Sequence, residues 1–262
     1  MNGKIHRGIE TGLNAAFVID GAKRAELIAT DPKSAEIIKP LLRGRDVKRW
    51  RVESRDSYLI AVQNSGDQSA HNVWANATGE TEARAIFKAI YPAIHDHLTA
   101  FETQLRIRQG QGRYWWELRA CAYYAEFEKP KIVWGSLATK PQFTIDTTES
   151  YVCDSANIIL GGDMAYLIGI MNSPVAAYIM AITGVKRHGG YIEYKPVRVL
   201  RLPIPDAPDA LRTQISALAE ACLAAAPDHP DRLPGLELQL NALVYRAYGL
   251  TEAEIQTVEG IK

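Results

Sequence analysis

The sequence predicts an α+β fold, with a mostly antiparallel region of short strands and packed helices followed by a helical C-terminal appendage. Two observations support this prediction. Short runs of β-branched and aromatic residues, separated by turn residues, occupy residues 131–160. Beyond residue 206 the apolar residues recur every three or four positions, which is the spacing of an amphipathic helix. We therefore divide the chain into a first domain, residues 1–206, and a helical segment, residues 207–262.

The N-terminal part of the chain mixes short strands, short helices and one long polar loop. Alternating polar and apolar residues predict paired strands at the start, with Gly12 in the turn between them. An amphipathic stretch that stops at Pro40 predicts a short helix, because proline interrupts a helix. The predicted elements are a hairpin or bent strand pair over 5–20, helices over 22–29 and 33–39, strands over 49–52 and 58–63, and a polar loop over 64–79.

A longer helical pattern follows the polar loop. From Ile94 to Leu105 the apolar residues recur at spacings of four, three and four, which predicts one amphipathic helix. His95 and His97 lie within it and suggest a metal site at first sight. Residues two apart on a helix point away from each other, so we predict no metal site there.

The second half of the chain predicts an antiparallel meander of short strands and then mostly helices. The first two helices are apolar on nearly all sides and are expected to be buried, with a break at Pro174. The predicted ranges are strands over 131–134, 142–146, 151–153 and 157–160, helices over 164–171 and 175–182, a strand over 191–194, and helices over 207–226, 233–248 and 251–260.

The densest charge cluster lies between Lys39 and Arg55, where seven basic residues stand against two acidic ones. Such a cluster attracts a polyanion, because each Lys or Arg that meets a phosphate releases condensed counterions. The alternative is a solvated turn whose arginines pair with local carboxylates. The formal net charge of the chain is zero, but residues 202–262 hold nine acidic and four basic residues. The excess of positive charge therefore lies in residues 1–201.

Several residue types in this chain suit contact with a nucleic acid. Arginines and lysines of the cluster suit phosphates, an aromatic ring beside an arginine suits stacking on a base, and hydroxyl, ammonium and amide groups after a strand suit base edges. A basic loop between glycines suits entry into a groove. The alternatives are burial of the aromatic ring and a solvated glycine loop. The candidates are Arg43, Arg45, Lys48, Arg49, Arg113, Trp115, Ser136, Lys140, Gln142, Lys186, Arg187 and His188.

Several motifs, in their order along the chain, match a known family. The motif G-I-x-T-G-x-N-x-A-F spans Gly8–Phe17, and I-I-K-P-L-L-R-G-R-D-V-K-R-W spans Ile37–Trp50. Trp116–Arg119, Phe127–Val133 and the exit motif Leu202–Pro205 follow. These motifs resemble the specificity domain that follows the catalytic domain in TaqI-like adenine-N6 DNA methyltransferases and in fused type IIG restriction-modification enzymes.

The resemblance implies that residues 1–206 form a DNA target recognition domain that binds double-stranded DNA. It also implies a methyltransferase catalytic domain, on the same chain or on another, that uses S-adenosylmethionine. The sequence has no Asn/Asp-Pro-Pro-Tyr/Phe motif, no glycine-rich cofactor turn and no convincing acidic-x-Lys nuclease motif. We therefore expect no catalytic residue, cofactor or metal in this chain, and we favour a fragment of a larger enzyme over a separate subunit.

Two other functions remain open at this point. One is a protein-interaction specificity subunit that docks a methyltransferase or nuclease partner through its acidic helices, and the other is a divergent nuclease. The three cysteines are scattered, and no apolar run reaches the roughly 18 residues of a membrane helix. We therefore expect a cytoplasmic protein with no membrane contact.

Overall fold

The computed structural model describes residues 4–53, 56–67 and 72–260. Within these ranges the strands are β1 (Lys4–Arg7), β2 (Val18–Ile19), β3 (Ile38–Leu42), β4 (Val47–Lys48), β5 (Arg51–Val52), β6 (Tyr58–Ile60), β7 (Lys131–Gly135), β8 (Leu137–Ala138), β9 (Phe143–Asp146), β10 (Tyr151–Val152), β11 (Ala156–Leu160) and β12 (Ile192–Glu193). The helices are α1 (Asn14–Phe17), α2 (Gly21–Thr30), α3 (Glu80–Ile90), α4 (Pro92–Thr99), α5 (Glu102–Ile107), α6 (Met164–Met171), α7 (Pro174–Thr183), α8 (Pro196–Val199), α9 (Asp209–Asp228), α10 (Leu233–Tyr248) and α11 (Glu252–Glu259). The predicted α+β class, with short and mostly antiparallel strands and C-terminal helices, is confirmed.

A central antiparallel sheet, in the order β1, β11, β7, β9, separates two hydrophobic cores. Successive side chains of a strand point to opposite faces of the sheet. Val133 of β7 and Ile158 of β11 therefore lie in one core, whereas their neighbours Ile132 and Ile159 lie in the other. We call the part on the Val133 side the first lobe and the part on the Ile132 side the second lobe.

The first lobe packs α1 to α5 against a second sheet, in the order β10, β3, β6, β2. Its core is rich in aromatic rings. Phe87 stacks on Trp116 with 5.6 Å between the ring centroids. Trp74 is buried nearby, and its Nε1–H donates to Glu117 Oε1 at 2.8 Å. The tryptophans thus close this core, and the buried indole N–H of Trp74 has a hydrogen-bond acceptor there.

The second lobe packs α6 to α11 on the other face of the central sheet. Ile215 of α9 and Val244 of α10 lie in the same core as Tyr166 of α6. The helices α6 and α9 approach closely at Gly169, where a Cβ would lie 3.0 Å from Ile215 Cγ2. The C-terminal helices therefore pack on the preceding part of the second lobe through a shared core.

The two apolar helices of the second lobe form a bent pair. Within the described ranges no single helix is long and apolar enough to span a membrane, but α6 and α7 together meet that test by length and composition, with a bend of 62° between them. Residues 165–171 of α6 are all buried, as predicted. The prediction is wrong in part for α7, because its last turn leaves Ile182 exposed.

Long-range pairing replaces two predicted local arrangements. The hairpin predicted over 5–20 is wrong, because β1 pairs with β11 and β2 pairs with β6. Gly8 permits the approach, since a Cβ there would lie 1.9 Å from the carbonyl oxygen of Cys153. The predicted meander is interrupted as well, because β10 leaves it to pair in parallel with β3.

The helix predicted over 33–39 is confirmed only in its first part, because its last residues belong to β3. A 3₁₀ helix, Pro32–Glu36, precedes β3, in which Pro40 pairs with Tyr58 of β6. The opposite neighbour, β10, pairs with β3 only at Leu41 and Leu42. The missing N–H of Pro40 therefore breaks no bond of the sheet, which explains how this strand tolerates proline.

The single helix predicted over the apolar stripe from Ile94 to Leu105 is two helices, α4 and α5. After α4 the helical hydrogen bonding changes from four-residue to three-residue spacing, because the Phe101 N–H donates to the Leu98 carbonyl oxygen at 2.9 Å. The four-residue bonding resumes when the Leu105 N–H donates to the Phe101 carbonyl. Both ends of the apolar stripe are buried. The spacing of apolar residues therefore predicted which side chains face the core, but it did not predict the break between the two helices.

Candidate nucleic-acid interface

Ser155 joins two of the three segments that hold most of the predicted contact residues. Each of the three carries at least one lysine or arginine, and we call them the basic segments. We call residues 43–49 the basic turn, and residues 136–142 the strand-exit loop because they follow β7. The Gly44 N–H donates to Ser155 Oγ at 2.9 Å, and the Ser136 N–H donates to the Ser155 carbonyl oxygen at 2.8 Å. Glycine is required here, since a Cβ at Gly44 would lie 2.3 Å from that carbonyl oxygen. The fold therefore places the basic turn beside the strand-exit loop.

A small antiparallel ribbon positions the third basic segment, residues 184–190, which we call the glycine loop. In the ribbon, β8 pairs with β12 so that Leu137 lies opposite Glu193. The glycine loop extends the ribbon, because the Arg187 N–H donates to the Tyr191 carbonyl oxygen at 2.7 Å. Alternation along the strands places Leu137, Arg187, Tyr191 and Glu193 on one face, which we call the outer face of the ribbon.

The opposite face of the ribbon is anchored in the second lobe. Ala138 and Ile192 alternate with the outer residues and are buried in the second core. The outer face borders a cleft of about 560 Å³. Three predicted residues, Ser136, Arg187 and His188, line this cleft together with Tyr191 and Lys195.

Glu193 places a carboxylate in this cleft. The Arg187 guanidinium binds it, and Lys195 Nζ lies 3.3 Å from Glu193 Oε2. The hydrogen bond from Arg187 lowers the pKa of Glu193 below its usual value, so the carboxylate is ionised at neutral pH. The Arg187 side chain is still 56% exposed, so part of its guanidinium faces solvent.

A second cleft, of about 640 Å³, is bordered by all three basic segments. Arg49 of the basic turn, Lys140 of the strand-exit loop and Gly190 of the glycine loop line it. Tyr178 of α7 also lines this cleft. The contact at Ser155 and this shared cleft together make one surface out of three segments that are far apart in the sequence.

The sequence model of the TaqI-like C-terminal specificity domain matches residues 39–204, which is more than half of the chain. The chain belongs to this family. All three basic segments of the specificity domain lie within the matched residues.

A search among curated proteins found no match for the specificity domain. Among solved structures, its fold is similar to a chain from a study described as the structure of the type IIL restriction-modification enzyme MmeI in complex with DNA. The TM-score is 0.65 at 12% sequence identity, and the match covers 96% of this chain and 33% of that chain. The specificity domain thus spans about a third of the length of its structural neighbour.

Part of the basic turn is neutralised by carboxylates of the same chain. Arg49 Nε lies 2.6 Å from Glu237 Oε1 of α10, and Trp50 Nε1–H donates to the same oxygen at 2.5 Å. Lys48 Nζ lies 3.7 Å from Glu53 Oε2. Arg49 and Lys48 therefore pair with carboxylates, which was the alternative to phosphate binding. Arg49 also fastens the basic turn to the C-terminal helices.

Arg45 is the most open of the four predicted residues of the basic turn. Its side chain is 61% exposed, and its Nε lies 3.8 Å from Asp46 Oδ1. Arg43 is half-buried, and its guanidinium reaches Ser57 Oγ at 3.5 Å. Arg55, the last basic residue of the charge cluster, lies outside the described residues. Within the turn, Arg45 is therefore best placed to meet a phosphate.

We expect a double-mutant cycle on Arg49→Gln and Glu237→Gln to give a coupling of about 1 kcal/mol in the free energy of unfolding, because both side chains are mostly buried but not fully. Urea denaturation followed by tryptophan fluorescence measures it. The matched control, Arg45→Gln, should change stability by less than about 0.5 kcal/mol. Strictly additive effects of the two single changes would show that the pair does not fasten the turn.

Arg113 and Trp115 belong to the first lobe. Arg113 is exposed, and its guanidinium donates to the Ala75 carbonyl oxygen at 2.7 Å. Trp115 is only 2% exposed, and the guanidinium of Arg84 lies 5.4 Å from the centroid of its ring. Stacking of Trp115 on a base is therefore a wrong prediction, because the ring is enclosed in the first core and covered by an arginine.

The remaining predicted residues differ in exposure. Lys140, Lys186 and His188 are exposed, whereas Gln142 is half-buried just before β9. Leu137, Tyr191 and Lys195 also belong to this surface, although they were not predicted from the sequence. The signal for two of them was present, since Tyr191 and Lys195 occupy alternate positions along the predicted strand 191–194 and its end. In the ranges that the structure describes, no three His, Cys, Asp or Glu residues are grouped to hold a metal ion.

Proposed function

We propose that this chain is the part of a restriction-modification enzyme that recognises a specific DNA sequence. The observation that supports this function best is the meeting of the basic turn, the strand-exit loop and the glycine loop on one surface of a member of a specificity-domain family. The structural neighbour was studied in complex with DNA. A positive surface built from loops on a rigid scaffold is what duplex DNA requires of its reader.

The two kinds of contact fall to different residues of the surface. Phosphate contacts position a protein on the duplex and base contacts specify the sequence. We assign phosphate contacts to the basic turn, with Arg45 as its most exposed member. We assign base-edge contacts to Arg187, His188 and Lys140, because they extend from the ribbon and the loop beside it. The major groove admits a two-stranded β-ribbon, and this ribbon is held in place by its buried inner face.

We assign the chemistry to a separate catalytic domain. That domain is an adenine-N6 methyltransferase that uses S-adenosylmethionine, on the same chain or on a partner chain, in an enzyme of the type IIG class. The chain spans about a third of its structural neighbour, which leaves room for such a domain in the corresponding protein. The three cysteines are free thiols, which supports the proposed cytoplasmic location.

Binding selection from randomised duplex DNA, near physiological salt, tests this function. We expect the chain to enrich a short motif. Arg187→Ala should relax the preference at one or two positions of that motif and weaken binding by about 1–3 kcal/mol. Arg45→Ala should weaken binding to all sequences alike and reduce the slope of log K against log salt by about 1.

Arg119 offers a matched control for both arginines. It is 60% exposed, pairs with Glu10 in the first lobe and lines neither of the two clefts described above. Arg119→Ala should leave both the motif and the salt slope unchanged. Absence of any DNA binding, together with capture of a partner protein that persists at high salt, would favour the alternative of a protein-interaction subunit.

A further inference from the structure

Exposed apolar side chains gather around the ribbon. In the described part of the chain, eight large apolar residues are exposed. Five of them come from the ribbon and from the segments that flank it: Leu137, Ile182, Tyr191, Val197 and Leu200. Large apolar residues left in solvent so close together mark a surface that binds something.

The same region is strongly basic. Residues 182–201 contain five lysines and arginines and one acidic residue, Glu193, whose carboxylate is bound by Arg187 and Lys195. This charge matches a polyanion and disfavours a purely apolar occupant such as a neutral helix. The surface therefore suits a ligand that is anionic as a whole but has an apolar group at the point of contact.

Leu137 and Tyr191 are held side by side on the outer face of the ribbon. Leu137 is 54% exposed and Tyr191 is 47% exposed. Leu137 lies opposite Glu193, so Tyr191 is its diagonal neighbour, which is within reach of an aromatic side chain. Both line the 560 Å³ cleft beside Arg187 and His188. The buried inner face of the ribbon keeps the pair from collapsing onto the protein.

We propose that Leu137 and Tyr191 read the 5-methyl group of a thymine in the major groove. This inference rests on the proposed function and names residues of specificity within it. The thymine methyl is the apolar feature of the base edges in that groove, and apolar side chains recognise it by contact. A cleft lined by lysine and arginine alone would favour guanine, whose major-groove edge accepts hydrogen bonds from them. Leu137 and Tyr191 lie beside Arg187, so an apolar contact to the thymine of an A·T pair can stand next to such a guanine contact.

Removal of single methyl groups from the DNA tests the proposal without altering the protein. Each thymine of the selected motif is replaced in turn by deoxyuridine, which lacks only the 5-methyl group, and the Kd of the chain is measured by fluorescence anisotropy. We expect one such replacement to weaken binding about fourfold, the factor that corresponds to burial of one methyl group. The other replacements should change the Kd less than about twofold.

Variants of the ribbon then identify the reader of that methyl group. Leu137→Ala and Tyr191→Ala should weaken binding to the thymine site and bring the ratio of the two Kd values, uridine site over thymine site, close to one. Leu200→Ala, an equally exposed leucine on the flank, should preserve the fourfold ratio. Because Leu137 and Tyr191 are about half exposed, circular dichroism should show unchanged folding for both variants.

Three results would overturn the inference while the proposed function stands: a selected motif without thymine in either strand, equal affinity for every uridine-substituted site, or a ratio that Leu137→Ala leaves at four. Failure of the chain to bind any DNA would instead contradict the proposed function itself.

Discussion

Replacing Lys131 with methionine should lower the free energy of unfolding by about 3–5 kcal/mol, because it leaves the carboxylate of Asp146 buried without its cation. The two residues pair across β7 and β9, with Lys131 Nζ 2.7 Å from Asp146 Oδ2, and both side chains are almost completely buried. The ammonium also donates to the carbonyl oxygens of Phe127 at 2.6 Å and Lys129 at 3.3 Å. The ammonium therefore has two hydrogen-bond acceptors besides the carboxylate that it pairs with.

Urea unfolding at neutral pH, followed by tryptophan fluorescence, measures this effect. Lys129→Met is the matched control two residues away, since Lys129 Nζ pairs with Glu126 at 3.2 Å on a mostly exposed side chain. It should cost less than about 1 kcal/mol. Joint replacement of Lys131 and Asp146 by methionine and leucine should recover much of the loss, because no lone charge remains buried. A loss below about 1 kcal/mol for Lys131→Met alone would contradict the buried pair.

Arg108→Leu is the second change with a large expected effect, a loss of about 3–4 kcal/mol in the free energy of unfolding. The buried guanidinium donates to the carbonyl oxygens of Thr11 and Glu117, and to that of Trp115 at 3.3 Å. It lies 4.5 Å from the centroid of the Phe17 ring. Arg108 therefore ties the segment after β1 to the tryptophan segment, and leucine would leave these buried carbonyl groups without a donor.

Burial lowers the pKa of Arg108 to about 10, so the guanidinium remains charged at neutral pH. Arg108→Lys keeps the charge but lacks the planar fork of donors, so we expect it to recover less than half of the loss. The control is Arg106→Leu, whose exposed guanidinium pairs with Glu80 and Glu102 and whose loss should cost about 1 kcal/mol.

Hydrogen exchange separates a local from a global effect of Arg108→Leu. We expect faster exchange in residues 11–17 and 108–118, with the second lobe unchanged at the same denaturant concentration. Equal stability of the Arg108→Leu, Arg108→Lys and wild-type chains would show that the three carbonyl groups find other donors.

Helices of this protein could be predicted well because their signals are local. The helix predicted over 233–248 has the same bounds in the structure, as α10. Thr251 and Glu254 form the predicted capping box at the start of α11, with the Glu254 carboxylate bonded to the Thr251 N–H at 2.8 Å. Both features depend on residues three and four positions apart, so the order of residues along the chain is enough to predict them.

Strand partners could not be predicted in the same way. The alternation in β1 is as compatible with a local hairpin as with pairing to β11, and the decision falls at Gly8, where the missing side chain admits the Cys153 carbonyl group. In the sequence Pro40 indicates only the end of a helix. A strand can contain it because β10 pairs with β3 only beyond Pro40, and this pairing is visible only in the structure. Such choices depend on residues more than a hundred positions away.

The sequence by itself determined the α+β class, the C-terminal helices, the family and the excess of positive charge in residues 1–201. Only the tertiary structure decided which basic residues share a surface. In the folded chain Arg49 forms an ion pair with Glu237, and the ring of Trp115 is buried. Arg187, Leu137 and Tyr191 line the same cleft at the ribbon. The physical reason is that composition and periodicity follow from near neighbours, whereas exposure and charge pairing depend on which distant segments the folded chain brings into contact.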